Sequence, residues 1–262
     1  MAAEPTLLQA AVLGAVQGAT EFLPVSSSAH LALAPRLFGF ADPGLTFDLA
    51  LHVGTLVSLA AVYGRTWYGL LAGAAREPGG PEAHRLLLLA GATLPAVAAG
   101  LGLEDYAETV FRDPRRIAWA LIVFSLVMAA AQRLGRGWKT WEEAGWPVII
   151  GVGAAQALAI LPGVSRSGVT VSAALLLGLA PASAAELSFL LSAPIIAGAA
   201  VFKLRHLTGA DLTAPFFVGV VVSALTGLAA VRGFIAFLPK RGLTPFVVYR
   251  LALGAALLAA WR

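Results

Sequence analysis

Glu21, His30 and Arg166 stand within apolar stretches, where an ionisable side chain is costly unless it meets a partner or water. Each lies beside a proline that interrupts its stretch. The first interruption reads Leu23-Pro24-Val25-Ser26-Ser27-Ser28 and the second Leu161-Pro162-Gly163-Val164-Ser165-Arg166-Ser167. Proline ends a helix and serine favours the start of the next, so each run reads as helix, break, helix. The new helix begins with unpaired N–H groups, which attract anions. Arg166 adds a planar double donor suited to phosphate oxygens. Gln17 and Glu21, spaced i, i+4, share one helix face. An acid, an imidazole and hydroxyls around an anion cradle are the parts of phosphoryl transfer, which depends mostly on positioning and charge stabilisation.

The elements that must carry these residues are membrane helices. Of 262 residues, 59% are apolar and 12% charged, against roughly 25% charged in a soluble domain. Such a chain has too little polar surface to coat itself against water, and a bilayer is its natural solvent. The chain has no cysteine, which excludes a thiol nucleophile and a disulfide framework. Basic residues sit in short loops between apolar segments, an arrangement that fits lipid headgroups and not nucleic acid. Met1-Ala2-Ala3-Glu4-Pro5 has no basic leader, so the first apolar stretch reads as mature protein.

Six stretches read as spanning helices, over about 46–64, 84–103, 117–133, 184–202, 212–231 and 245–261. Residues 6–40 and 146–179 carry the breaks, and each half is too short to cross alone. Both read as re-entrant hairpins, whose broken backbone must be buried in protein or line a wet cavity. Setting Val25 on Val164 aligns Ser26 with Ser165, Ser27 with Arg166 and Ser28 with Ser167, while Gln17 and Gln156 precede at similar distance. The expected fold is therefore an all-α polytopic membrane protein, with six transmembrane helices plus two re-entrant helix hairpins. It forms one membrane domain over 1–262, with repeats over about 1–135 and 145–262. Three spans per repeat is an odd number, so the second repeat is inverted and the site lies where the breaks meet. Loops 65–85, 133–145 and 232–244 carry nine Lys/Arg and four acids, which places them inside and both termini outside.

The segment Gln17-x-x-x-Glu21-Phe22-Leu23-Pro24-Val25-Ser26-Ser27-Ser28-x-His30-Leu31 resembles the first signature of the undecaprenyl-diphosphate phosphatases, the bacitracin-resistance protein (BacA/UppP) family. Leu161-Pro162-Gly163-Val164-Ser165-Arg166-Ser167-Gly168-x-Thr170 resembles the second. Phe47-Asp48-x-x-Leu51-His52-x-Gly54-Thr55 and Glu186-x-Ser188-Phe189-Leu190-Leu191-x-x-Pro194 resemble two further family segments, and the match runs in order along the chain. The resemblance implies hydrolysis of undecaprenyl diphosphate to undecaprenyl phosphate and inorganic phosphate. It also implies a divalent cation, Mg²⁺ or Ca²⁺, and a site opening to the outer side of the bacterial cytoplasmic membrane. The expected partners are the polyprenyl diphosphate lipid, membrane lipids and a second copy of the chain in a homodimer, with no nucleic acid. By position, Glu21, His30 and Arg166 match the residues on which the family most depends. Ser26, Ser27, Ser165, Ser167 and Thr170 match its phosphate-binding set. Where the family allows Glu or Gln, this chain has Gln17, which favours a looser cation site at Glu21 and the substrate phosphates.

Arg166 is expected to hold the diphosphate; the plain alternative is a structural ion pair with Glu21 or Glu186. Glu21 is expected to hold the cation or orient His30, and His30 to act as base or nucleophile. Ser27 is a candidate nucleophile, with direct attack by water as the competitor. Gln17, Ser165, Ser167 and Thr170 are expected to bond phosphate or the break itself. Asp48 and His52 read as an internal polar pair, Glu186 and Ser188 as indirect support, and Arg250 receives no role. A polyprenyl-phosphate flippase would need the same anion site and is the main rival. A type 2 phosphatidic acid phosphatase would need a histidine where the chain has Ser172.

Overall fold

In the computed structural model, which describes residues 4–108, 113–204 and 207–261, both prolines end their helices as expected. Residues 1–3, part of the N-terminus discussed above, lie outside the described residues. Leu23 and Leu161, each preceding a proline, adopt extended backbone with φ/ψ of −72/142° and −80/116°. Steric conflict with the proline ring disfavours the helical alternative at this position. Each break ends on a serine in a left-handed conformation: Ser26 at φ 75° and Ser165 at φ 72°, the two non-glycine residues with positive φ among those described. Each serine then caps the following helix. Ser26 Oγ accepts from the Ala29 N–H and Ser165 Oγ from the Gly168 N–H.

The described residues form ten α-helices: α1 (Leu7–Phe22), α2 (Ser27–Phe38), α3 (Leu45–Arg76), α4 (Pro81–Glu108), α5 (Pro114–Leu134), α6 (Trp146–Gln156), α7 (Arg166–Leu176), α8 (Pro181–Leu204), α9 (Ala214–Arg241) and α10 (Thr244–Ala260). Local sequence sets their starts. Thr6 and Gln9 form a capping box at α1, and Asp113 accepts from the Arg115 and Arg116 N–H groups before Pro114 of α5. The helices α3 and α9 run past the expected ends at 64 and 231. Nothing stops them until Glu77-Pro78 and until Gly242, whose φ is 66°.

Five helices are long and apolar enough to cross a bilayer, within α3, α4, α5, α8 and α9. The chain is therefore a multi-pass membrane protein. The remaining expected span, α10, has 17 residues, or about 25 Å of rise, short of the roughly 30 Å hydrocarbon core. At 11 to 16 residues, α1, α2, α6 and α7 are shorter still.

The two halves pack in matching ways. The helix α1 lies against α9, as α6 lies against α4, and α3 meets α8 while α5 meets α10. Small residues permit the first two contacts. A Cβ on Gly18 would fall 1.9 Å from Thr226 Oγ1, and one on Gly153 would fall 2.2 Å from the Ala92 carbonyl. At the centre of the bundle Phe189 receives Phe22 and Phe234 edge-on, at 5.6 and 5.9 Å between ring centres. Many large apolar side chains on the outside, such as Leu87, Leu94, Trp119, Leu126 and Leu225, are exposed, as a lipid-facing surface requires.

Candidate active site

The two breaks touch. The Gly163 N–H donates to Ser26 Oγ at 3.0 Å, and Ser167 Oγ donates to the Leu23 carbonyl at 3.1 Å. Glu21, on the last turn of α1, thereby meets Arg166, the first residue of α7. Their ion pair is 2.6 Å long, with the two side chains only 7% and 12% exposed. Ser27 Oγ donates to Glu21 Oε2 at 2.5 Å, and Gln17 Nε2 donates to the same oxygen at 3.1 Å. Three donors on one buried carboxylate hold it charged and fixed in direction.

Beside this cluster lies a cavity of about 300 Å³. The first half lines it with Glu21, Ser26, Ser27, Ser28 and His52, and the second with Gln156, Ser165 and Arg166. Ile195, Ile196 and Ala199 of α8 form an apolar wall. Several buried polar atoms next to it have no hydrogen-bond partner: Arg166 Nη1, Gln17 Oε1, and both amide atoms of Gln156. Buried polar groups are normally satisfied, so this set marks a place for a polar ligand or water.

The expected phosphate-binding residues divide. Ser26 and Ser165 line the cavity but spend their hydroxyls on helix capping. Ser167 and Thr170 do not line it. Thr170 Oγ1 donates to the Arg166 carbonyl at 2.7 Å and lies 2.6 Å from Ser188 Oγ, which ties α7 to α8. Gln17 supports Glu21 from one turn behind.

His30 was expected beside Ser27 as its base, but no hydrogen bond joins them. Its Nδ1 lies 2.7 Å from the Ser26 carbonyl, which can only accept, so Nδ1 carries the proton. Nε2 then accepts from the Tyr249 hydroxyl at 2.6 Å, and the two rings stack at 5.7 Å. His30 is not among the residues that line the cavity; His52, expected to serve the fold, is. The bond linking His52 to Asp48 runs from Nδ1 to the backbone carbonyl, at 2.7 Å.

Arg250, which received no role from the sequence, is fully buried and joins the two breaks. Its Nη1 donates to the Pro24 carbonyl at 3.3 Å, and Nη2 donates to the Gly163 carbonyl at 2.7 Å and the Leu121 carbonyl at 3.4 Å. Nε donates to Ser125 Oγ at 3.0 Å. Pro24 and Gly163 occupy the same position in the two break motifs. The one available signal was a lone arginine inside the apolar run 245–261.

A divalent cation would find few protein oxygens here. Among the described residues no three His, Cys, Asp or Glu side chains converge, and Glu21 already accepts from three donors. The unpartnered Gln17 Oε1 beside Glu21 and Gln156 Oε1 at the cavity are the spare amide oxygens there. This donor set fits a cation that arrives on the substrate's phosphates better than one bound by protein alone.

Known proteins resemble this chain over nearly its whole length. An undecaprenyl-diphosphatase of Pelotomaculum thermopropionicum is 46% identical over 253 residues, covering 97% of this chain and 96% of the relative. Proteins of the same name from Elusimicrobium minutum and Moorella thermoacetica are 43% and 42% identical, each over 97% or more of both chains. The family described as Bacitracin resistance protein BacA matches residues 10–256, which include both breaks, Glu21, Arg166 and Arg250, and the chain belongs to that family.

Proposed function

We infer that the protein is a membrane hydrolase that converts undecaprenyl diphosphate to undecaprenyl phosphate and inorganic phosphate. The observation that carries this reading is the joint between the breaks, where a charged Glu21 is set on Ser27 and Arg166 beside a cavity with unpartnered polar atoms. The relatives named above carry that activity in their names. The translocation reading gains nothing from the relatives or from the geometry.

In the reaction Ser27 Oγ attacks the terminal phosphorus while Glu21 Oε2 takes its proton. The bond from Ser27 Oγ to phosphorus forms as the bond to the bridging oxygen breaks, and the lipid leaves as its monophosphate. Glu21 passes that proton to the departing lipid monophosphate and is again a base. Water then attacks the phosphoserine while Glu21 takes a proton from it. The bond from phosphorus to Ser27 Oγ breaks as Glu21 returns that proton to Ser27 Oγ, and inorganic phosphate departs. The guanidinium of Arg166 holds the carboxylate through Nη2 and offers Nη1 to a phosphate oxygen. Ser26, Ser165, Ser167, Thr170 and Gln17 shape the site by holding backbone and carboxylate. His30 acts on Ser26 and Tyr249, as a positioning residue of the first break. Glu21 and Gln17 Oε1 are the oxygens that would face a Mg²⁺ or Ca²⁺ ion carried on the diphosphate, whose chemistry would be to neutralise phosphate charge.

The finer topology is one membrane domain of two inverted repeats, each a re-entrant hairpin followed by three spans, with the site open to the outer side of the cytoplasmic membrane. The matching helix contacts and the paired left-handed serines support the repeat. Re-entry of the second hairpin is supported by a short parallel bridge between Lys139, before α6, and Leu179, after α7. Labelled phosphoenzyme trapped from wild type, and absent in Ser27→Ala, tests the mechanism. Phosphate release by detergent-solubilised protein tests the activity; no release from a long-chain polyprenyl diphosphate would overturn the reading.

A further inference from the structure

We propose that Gln156 is a substrate-binding residue whose Nε2 amide donates a hydrogen bond to an oxygen of the lipid diphosphate. The proposal rests on the phosphatase reading and adds a residue to its site. Three observations carry it.

The amide of Gln156 is buried at the cavity and unpaired. The residue, the last of α6, is 2% exposed. It lines the cavity together with Glu21, Ser27 and Arg166, and neither its Nε2 nor its Oε1 has a hydrogen-bond partner. Burying an amide unpaired costs stability, and an apolar side chain of similar size would escape that cost. A ligand that bonds the amide inside the cavity offsets it.

The other half of the molecule explains why the amide is free. The alignment that sets Val25 on Val164 places Gln17 on Gln156 and Glu21 on Ile160. Gln17 Nε2 finds Glu21 one turn further along, at 3.1 Å. At the same spacing Gln156 finds Ile160, which closes the 3₁₀ turn Ala157–Ile160, lines the same cavity and offers no acceptor. The first glutamine is engaged by its own acid, and the second is left for what enters. Its backbone is held in place. Gly153, one turn back, lies so close to α4 that a Cβ there would fall 2.2 Å from the Ala92 carbonyl.

Charge selects a neutral donor here. Glu21 and Arg166 form an ion pair, and a divalent cation carried on the phosphates offsets much of the diphosphate's own charge. The phosphate oxygens that face away from the cation then require N–H donors and no further charge. The halves divide this work. The first supplies oxygens toward the cation, from Glu21 and Gln17. The second supplies two unpartnered buried nitrogens at the cavity, Arg166 Nη1 and Gln156 Nε2. Gln156 Oε1 is left to accept from a water that enters with the ligand.

The test measures Kd by calorimetry in detergent with Mg²⁺, for a non-hydrolysable methylene-bridged polyprenyl bisphosphonate, with wild type and Gln156→Leu. The Tm of each protein without the probe is measured alongside. Gln156→Leu is expected to weaken binding at least fivefold, as befits a lost hydrogen bond to a charged group. Its ligand-free Tm is expected to equal or exceed that of wild type, because no hydrogen bond within the protein is lost. A smaller change in Kd would overturn the proposal. Weaker binding together with a lower Tm would assign Gln156 to the fold and overturn it too. A Mg²⁺ titration, with the probe saturating each variant, is expected to give the same midpoint in both. A midpoint raised in Gln156→Leu would set the cation, not the phosphate, against Gln156 and reject the assignment. If Gln156→Leu does not fold, Gln156→Met takes its place under the same criteria, and failure of wild type to bind the probe suffices to reject the proposal. If wild type releases no phosphate from a polyprenyl diphosphate while probe binding still depends on Gln156, the phosphatase reading falls and the binding role stands.

Discussion

At Glu21, one carboxylate receives Ser27, Gln17 and Arg166, so its removal has separable effects on chemistry and on packing. Glu21→Gln keeps the shape but cannot take the Ser27 proton, and phosphate release is expected to fall by at least about 100-fold. Arg166→Ala leaves a buried carboxylate without its cation. It is expected to lose turnover to a similar degree and to lower stability by about 3–5 kcal/mol, read as a reduced Tm in detergent. Retention of more than a tenth of wild-type turnover in either variant, at equal folded amounts, would contradict the assigned roles. The convergence of Glu21, Ser27 and Arg166 was legible in the sequence, because prolines and serines mark the breaks by residue type. The difference between His30 and His52 was not. Both follow a helix start or sit one turn from an acid, and only tertiary packing turns His30 to Tyr249. Arg250 was illegible for another reason. Three of its four partners are backbone carbonyls, which leave no trace in residue identity.

At the scale of the element, the breaks combine two demands on one serine. Ser26 and Ser165 must accept from a helix N–H and also hold a left-handed backbone. Glycine meets the second demand and alanine neither. At both positions the glycine variant is therefore expected to be more stable than the alanine variant, by about 1 kcal/mol or more, as measured by Tm. An equal or reversed order at Ser165 would show that no strain is held there. Close helix contacts give a second expectation. Gly18→Ala would force α1 from α9, since the new Cβ meets Thr226 Oγ1 and the Ser223 carbonyl. A stability loss of about 1–3 kcal/mol is expected, against little change at Gly69, whose Cβ position is open. Spans were legible from apolar length, but the extensions of α3 and α9 were not. Charged residues on a helix end do not break it, so apolarity and helicity stop at different places.

For the whole molecule, the paired halves make a statement about sidedness that the cysteine-free chain is well suited to check. In the inverted-repeat arrangement, Ala41, after the first hairpin, lies outside, and Leu177, after the second, lies inside. A cysteine at position 41 is expected to react with a membrane-impermeant maleimide in intact cells, and one at 177 only after permeabilisation. Labelling of both from the same side would rule out inversion. Loop charge hinted at this orientation with a slight bias, and the labelling experiment decides it.

The ion pair across 145 residues also bears on how the protein is made. A ribosome adds about 5–20 residues per second, so Glu21 reaches the bilayer on the order of ten seconds before Arg166 exists to receive it. Until then the nascent first half carries an acid with no counter-charge and a kink that Arg250 has not yet tied. Insertion machinery or water must shelter it in that interval. A ribosome stalled after α5 would leave a fragment that membrane proteases should clear, while the finished chain resists them.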